Sequence, residues 1–148
     1  MVVELRNAQR TLPVPRALLL RVAQAALKYL RIHTPGCLSV TLISAHQMRL
    51  LNRCFTGHRG LTDVLSFRYD GEPIVGEILI APQAARSYAK RHGLSYHTEL
   101  SRYVVHGLLH WLGYEDTTKA QQEAMRRRED RLLIQCNKLD FCKMNLAR

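Results

Sequence analysis

Residues 63–93 read DVLSFRYDGEPIVGEILIAPQAARSYAKRHG, and the hydrophobic rhythm changes once within this stretch. Two short runs rich in β-branched and aromatic residues, DVLSFRY and PIVGEILIA, are joined by the turn residues DGEP, the pattern of two strands. Pro82 then opens a basic helix, because a proline at the first helical position gives up no hydrogen bond. Gly93 ends it. Strands followed directly by a helix place the chain among folds that mix the two elements.

Working outward, VVELRN at the N-terminus alternates as a short strand. Pro13 and Pro15 mark a turn and a helix start. The run RALLLRVAQAALKYLRI (16–32) then sets Leu18, Val22, Ala25, Ala26 and Tyr29 on one face. LSVTLIS (38–44) reads as a strand, and AHQMRLLNRCF (45–55) as a short helix with Met48, Leu51 and Phe55 inward. The segment TGHRGLT (56–62) is a loop. Beyond Gly93 a long helix is expected from about His97 to Leu112. A last helix is expected from about Thr118 to Cys136, with RRRED on its solvent side. The element order is β-α-β-α-β-β-α-α-α. It describes an α+β single domain spanning 1–148, with one mixed four-stranded sheet packed against about five helices.

The chain has 148 residues, enough for one domain with a real core, and no internal repeat. No apolar run approaches the roughly 20 residues that span a bilayer, and MVVELRNAQR lacks the pattern of a secretion signal, so the expected compartment is the cytoplasm. Cys37, Cys54, Cys136 and Cys142 form no CxxC pair and are read as reduced thiols. Twenty-two Lys and Arg face twelve Asp and Glu, a net charge of +10. Ten of those cations and only three acids fall in residues 1–70. That excess favours a polyanion partner, because neutralising phosphates releases counterions. The bland alternative is a solvated basic surface. No helix pairs a basic face with exposed large aromatics, which disfavours a membrane surface.

The chemistry concentrates in VVHGLLHWLGYED (104–116). Positions i and i+4 of a helix share a face, so His106 and His110 can aim both rings at one point. The same stripe runs back through Arg102 to Glu99, opposite Leu100, Val104, Leu108 and Trp111. Gly107 costs about 1 kcal/mol of helix stability relative to alanine, so its presence signals a close approach of something to the backbone. Gly113 is a natural left-handed stop that lets the chain turn Glu115 or Asp116 toward the imidazoles. Two histidines and a carboxylate are a suitable set for a zinc ion with an open position. Histidines in an apolar helix can also be plain hydrogen-bonded core residues. The zinc-protease HExxH pattern places its glutamate base where this chain has Gly107, which argues against proteolysis.

HGLLHWLGYED resembles the signature HGxLHLxGYDH of the YbeY family of metal-dependent ribosomal-RNA endoribonucleases. The agreement runs through His106, Gly107, Leu109, His110, Gly113 and Tyr114, with Leu112 allowed at a variable position. LTDVLSF (61–67) is similar to the family's PTDVLSF, and GEILIA (76–81) to GDIxIS. The resemblance implies a metal site at the end of a long helix, with one zinc ion held by His106, His110 and, where the family has a third histidine, Asp116. It also implies cleavage of single-stranded RNA in ribosomal RNA maturation, including the small-subunit 3′ end, and in ribosome quality control. The expected partners are ribosomal RNA and the ribosome or its proteins, for a monomer. An aspartate ligand should leave the bound water less acidic and makes manganese or iron the second choices. The family's loop arginine is replaced by Thr56, and Arg59, three residues on, is the candidate for the same catalytic charge. A non-catalytic ribosome-associated module braced by metal, or a metal-dependent hydrolase of another substrate, are the rival readings.

Overall fold

The computed structural model describes residues 1–55, 63–71 and 73–146, with side chains described up to 138. The elements follow the expected order. They are β1 (Val2–Asn7), α1 (Arg16–Tyr29), β2 (Cys37–Leu42), α2 (Ala45–Phe55), β3 (Val64–Arg68), β4 (Ile74–Ile80), α3 (Pro82–His92), α4 (Tyr96–Trp111) and α5 (Lys119–Leu146). They form one domain around one mixed sheet. The strands lie in the order β1-β2-β4-β3, with β1, β2 and β4 parallel and β3 antiparallel to β4. The β2–β4 neighbourhood requires a crossover, whereas β3 and β4 are antiparallel neighbours that follow one another in the chain.

The two faces of the sheet are covered unequally. Leu38, Val40 and Leu42 of β2, with Ile78 and Ile80 of β4, point into the main core. Leu100, Val104, Val105, Leu108, Leu109 and Trp111 of α4 meet them there, flanked by α1 and α5. All eleven of these residues are at most 4% exposed, so α4 is the central helix of the fold. On the opposite face Ile43, Met48, Leu65, Leu79 and Ala81 make a smaller cluster.

Three expectations need correction. The buried face of α1 is Leu19, Val22, Ala23, Ala26 and Leu27 rather than the stripe ending at Tyr29. Packing against both α4 and α5 rotates the inward stripe by about one position and leaves Tyr29 at the rim, 44% exposed. Phe55, expected inward, is 63% exposed at the end of α2, with its ring edge-on to Phe67. Finally, α5 runs ten residues past Cys136, and Glu129, expected in the solvent-facing run, is buried. Among the described residues no helix is long and apolar enough to cross a membrane, and Cys37, Cys54 and Cys136 are free thiols.

Candidate metal centre

The ends of α4 set the site. Ser95 caps the first turn, its hydroxyl accepting from the Thr98 amide, and Glu99 adds an acid where the helix dipole favours one. At the other end Gly113 takes φ +103°, outside the comfortable range of a side-chain-bearing residue. The Gly113 amide donates to the His110 carbonyl at 2.9 Å and the Tyr114 amide to Leu109 at 3.0 Å. This paired closure satisfies the last helical carbonyls and reverses the chain.

The reversal returns Asp116, not Glu115, to the helix. Asp116 Oδ2 lies 3.5 Å from His106 Nε2 and 3.3 Å from His110 Nε2, and the two Nε2 atoms are 3.0 Å apart. Glu115 is exposed and stays outside the cluster. Bonds of about 2.0–2.2 Å to a tetrahedral ion put its donor atoms roughly 3.3–3.6 Å apart, so the two edges to Asp116 match three ligands around one ion and the 3.0 Å imidazole edge is a few tenths of an ångström short of it. Two imidazoles and a carboxylate are also the donor chemistry such an ion takes. His106, His110 and Asp116 are thus a group that could hold a metal.

Gly107, between the histidines, seats the helix on the sheet. A Cβ there would collide with Ile78 and come within 3.1 Å of Val64 Cγ1. The close approach expected from the sequence is therefore made by β3 and β4 rather than by a ligand. The Ser66 hydroxyl of β3 also donates to the Gly107 carbonyl at 2.7 Å.

Further polar residues surround the cluster: Arg102 and Glu99 continue the stripe expected on α4, whereas Glu129, Asp130, Asp63 and Tyr103 carried no expectation of belonging to the site. The His106 Nδ1 atom lies 3.0 Å from Glu129 Oε2. The other oxygen of Glu129 accepts from Arg102 Nη1 at 3.2 Å, and Arg102 donates again to Asp130 at 2.7 Å. Spacing held a usable signal. Met125, Glu129, Leu132 and Cys136 recur at i, i+4, i+7 and i+11, which sets an acid within an apolar stripe. Asp63 likewise accepts from the Tyr103 hydroxyl at 3.2 Å. Burial raises the Asp63 carboxyl, with the Tyr103 hydrogen bond offsetting part of the shift. Burial, and then the Asp63 charge, raise the Tyr103 hydroxyl strongly. Glu99 is also raised by burial, against the opposing pull of Arg102.

Beside the cluster opens a cleft of about 390 Å³, lined by Asp63, Tyr88, Tyr103, His106, Asp116 and Arg126 among others. Arg59, the expected catalytic cation, lies outside the described residues, as do His58 and Thr56.

A central helix seated on a mixed sheet, with two histidines and a carboxylate converging where it ends, defines an α+β protein with a candidate mononuclear metal centre. Comparison with known proteins narrows that class. The family model described as Endoribonuclease YbeY matches residues 4–137. Endoribonuclease YbeY of Micrococcus luteus is 32% identical over 143 residues, covering 90% of each chain. The Pelotomaculum thermopropionicum protein of the same name is 34% identical over 143 residues, 88% of this chain and 94% of its own. A solution structure of a Thermotoga maritima protein, TM1509, superposes with a TM-score of 0.62 at 22% identity, covering 91% of this chain and 89% of that one, and supports the fold. The chain belongs to the endoribonuclease YbeY family.

Proposed function

We propose that this protein is a metal-dependent endoribonuclease that cuts single-stranded RNA in ribosomal RNA maturation, including the small-subunit 3′ end, and in ribosome quality control. The observation that carries this reading is the convergence of His106 Nε2, His110 Nε2 and Asp116 Oδ2 beside an open cleft in a family of endoribonucleases. Zinc is the proposed ion, with manganese or iron next, since a carboxylate widens the choice toward harder metals. When bound, such an ion supplies Lewis acidity toward a phosphate oxygen or a coordinated water.

The chain's own residues supply the remainder. His106 and Asp116 stand in the cleft wall, so an ion they hold is reachable by a strand lying there. Arg126 lines the same cleft and places a cation where phosphates would pass. Arg102 is committed to Glu129 and Asp130 and is poorly placed for that task. On sequence grounds Arg59 supplies the second cation, stabilising the charge that develops on the phosphate. No side-chain base can replace Gly107, because the sheet fills the space. The proposed partners are ribosomal RNA and the ribosome, with the protein acting as a monomer.

The test is cleavage of a single-stranded ribosomal RNA fragment by zinc-loaded protein, by protein stripped with a chelator, and by His110→Ala. Cleavage by the loaded wild type alone supports the proposal. Binding without cleavage in all three, with His110→Ala binding equally well, overturns it in favour of a non-catalytic RNA-binding module. The product ends separate two routes: a 5′-phosphate implicates water, and a cyclic phosphate implicates the ribose 2′-hydroxyl.

A further inference from the structure

Glu129 is 6% exposed and belongs to the inward stripe of α5, although it is an acid in a helix whose neighbouring positions 126–128 are all exposed cations. A carboxylate in such a position requires partners for both oxygens. It has them: Oε1 receives Arg102 Nη1 at 3.2 Å, and Oε2 faces His106 Nδ1 at 3.0 Å. Arg102 also donates to Asp130 at 2.7 Å, and its Nε lies 3.8 Å from Glu99, close enough for charge attraction but not for a hydrogen bond.

We propose that Glu129 is a positioning residue for the candidate metal centre, holding His106 in the Nδ1–H tautomer so that its Nε2 lone pair faces His110 and Asp116. This rests on the metal reading above. An ionised carboxylate only accepts, so the hydrogen in the 3.0 Å contact belongs to the imidazole. A neutral imidazole that donates from Nδ1 keeps its lone pair on Nε2, the atom 3.5 Å from Asp116 Oδ2 and 3.0 Å from His110 Nε2. Partners of this kind on the far nitrogen fix both the tautomer and the ring orientation of a ligating histidine. Arg102 completes the device. It balances the Glu129 charge, so a second anion beside Asp116 is tolerated close to the histidines. The arrangement ties the docking of α5 to the geometry of a site built on α4 and the turn after it.

The test combines ring-nitrogen NMR of His106 in metal-free protein, above the imidazole titration range, with zinc affinity by chelator competition. Wild type is expected to show the Nδ1–H tautomer. Glu129→Ala is expected to show mixed tautomers and a roughly 10–100-fold loss of zinc affinity. Glu129→Gln, whose carbonyl oxygen still accepts, is expected to recover most of that loss. A purely structural role would lower the melting temperature of Glu129→Ala while leaving its zinc affinity within about twofold of wild type, and that result overturns the proposal. An Nε2–H tautomer in wild type also overturns it, even if Glu129→Ala fails to fold. Failure of the metal reading is a different result: wild-type protein that takes up no zinc, manganese or iron overturns both.

Discussion

Asp116 reaches the two imidazoles because Gly113 turns the chain back, while Glu115, one residue earlier, points to water. Asp116→Ala is expected to cost more zinc affinity than the roughly 10–100-fold typical of an outer partner, read by metal analysis of the purified variant beside wild type. Unchanged metal content would remove Asp116 from the ligand set. Asp63 offers a separate test at this scale. Burial raises its carboxyl in the folded chain, so its stabilising contribution is complete below the ordinary carboxylate range and is lost as pH rises through the raised value. Asp63→Asn, which keeps an acceptor for the Tyr103 hydroxyl, is expected to melt above wild type at neutral pH. Thermal scans on descending pH should show that advantage shrinking as wild-type Asp63 protonates. An advantage independent of pH would mean that the carboxylate charge is not its source.

At the scale of elements, α4 combines a packed face and a polar face, and Gly107 is where the two requirements meet. Gly107→Ala gains about 1 kcal/mol of helix propensity but drives a methyl into Ile78 and toward Val64. Overpacking of this kind costs about 1–3 kcal/mol, so a net loss of stability is expected by denaturant titration. A stabilised Gly107→Ala would show that the sheet can move aside. The C-terminal limit of α4 was legible because its signal is local, Gly113 closing a 3.6-residue rhythm, whereas the Ser95 cap at the other end was not read from the sequence. The inward faces of α1, α2 and α5 were less legible. Tyr29 and Phe55 are apolar enough to be read as core, yet their positions face the rim once neighbouring helices have docked. Glu129 was misplaced for the converse reason. Its charge suggested solvent, whereas its spacing from Met125, Leu132 and Cys136 put it inside.

For the whole molecule, a net charge of +10 on 148 residues predicts that the proposed RNA binding has a strong ionic component. The logarithm of the association constant for a single-stranded RNA should fall linearly with the logarithm of salt concentration, at about −0.7 per phosphate neutralised. A flat titration would remove the polyanion partner. The sequence by itself determined the element order, the α+β class, the HxxxH pair and the family, because each is written in contiguous residues: alternation, helical spacing, capping glycines and a short signature. Only the tertiary structure decided the strand order β1-β2-β4-β3 and the partnership of His106 with Glu129 and Arg102, and it brings Asp116, the residue that the register of the signature picks, back to the imidazoles. Those depend on segments 23 or more residues apart, or on the angle at which a turn returns, and such distances are set by how α4, α5 and the sheet share one core.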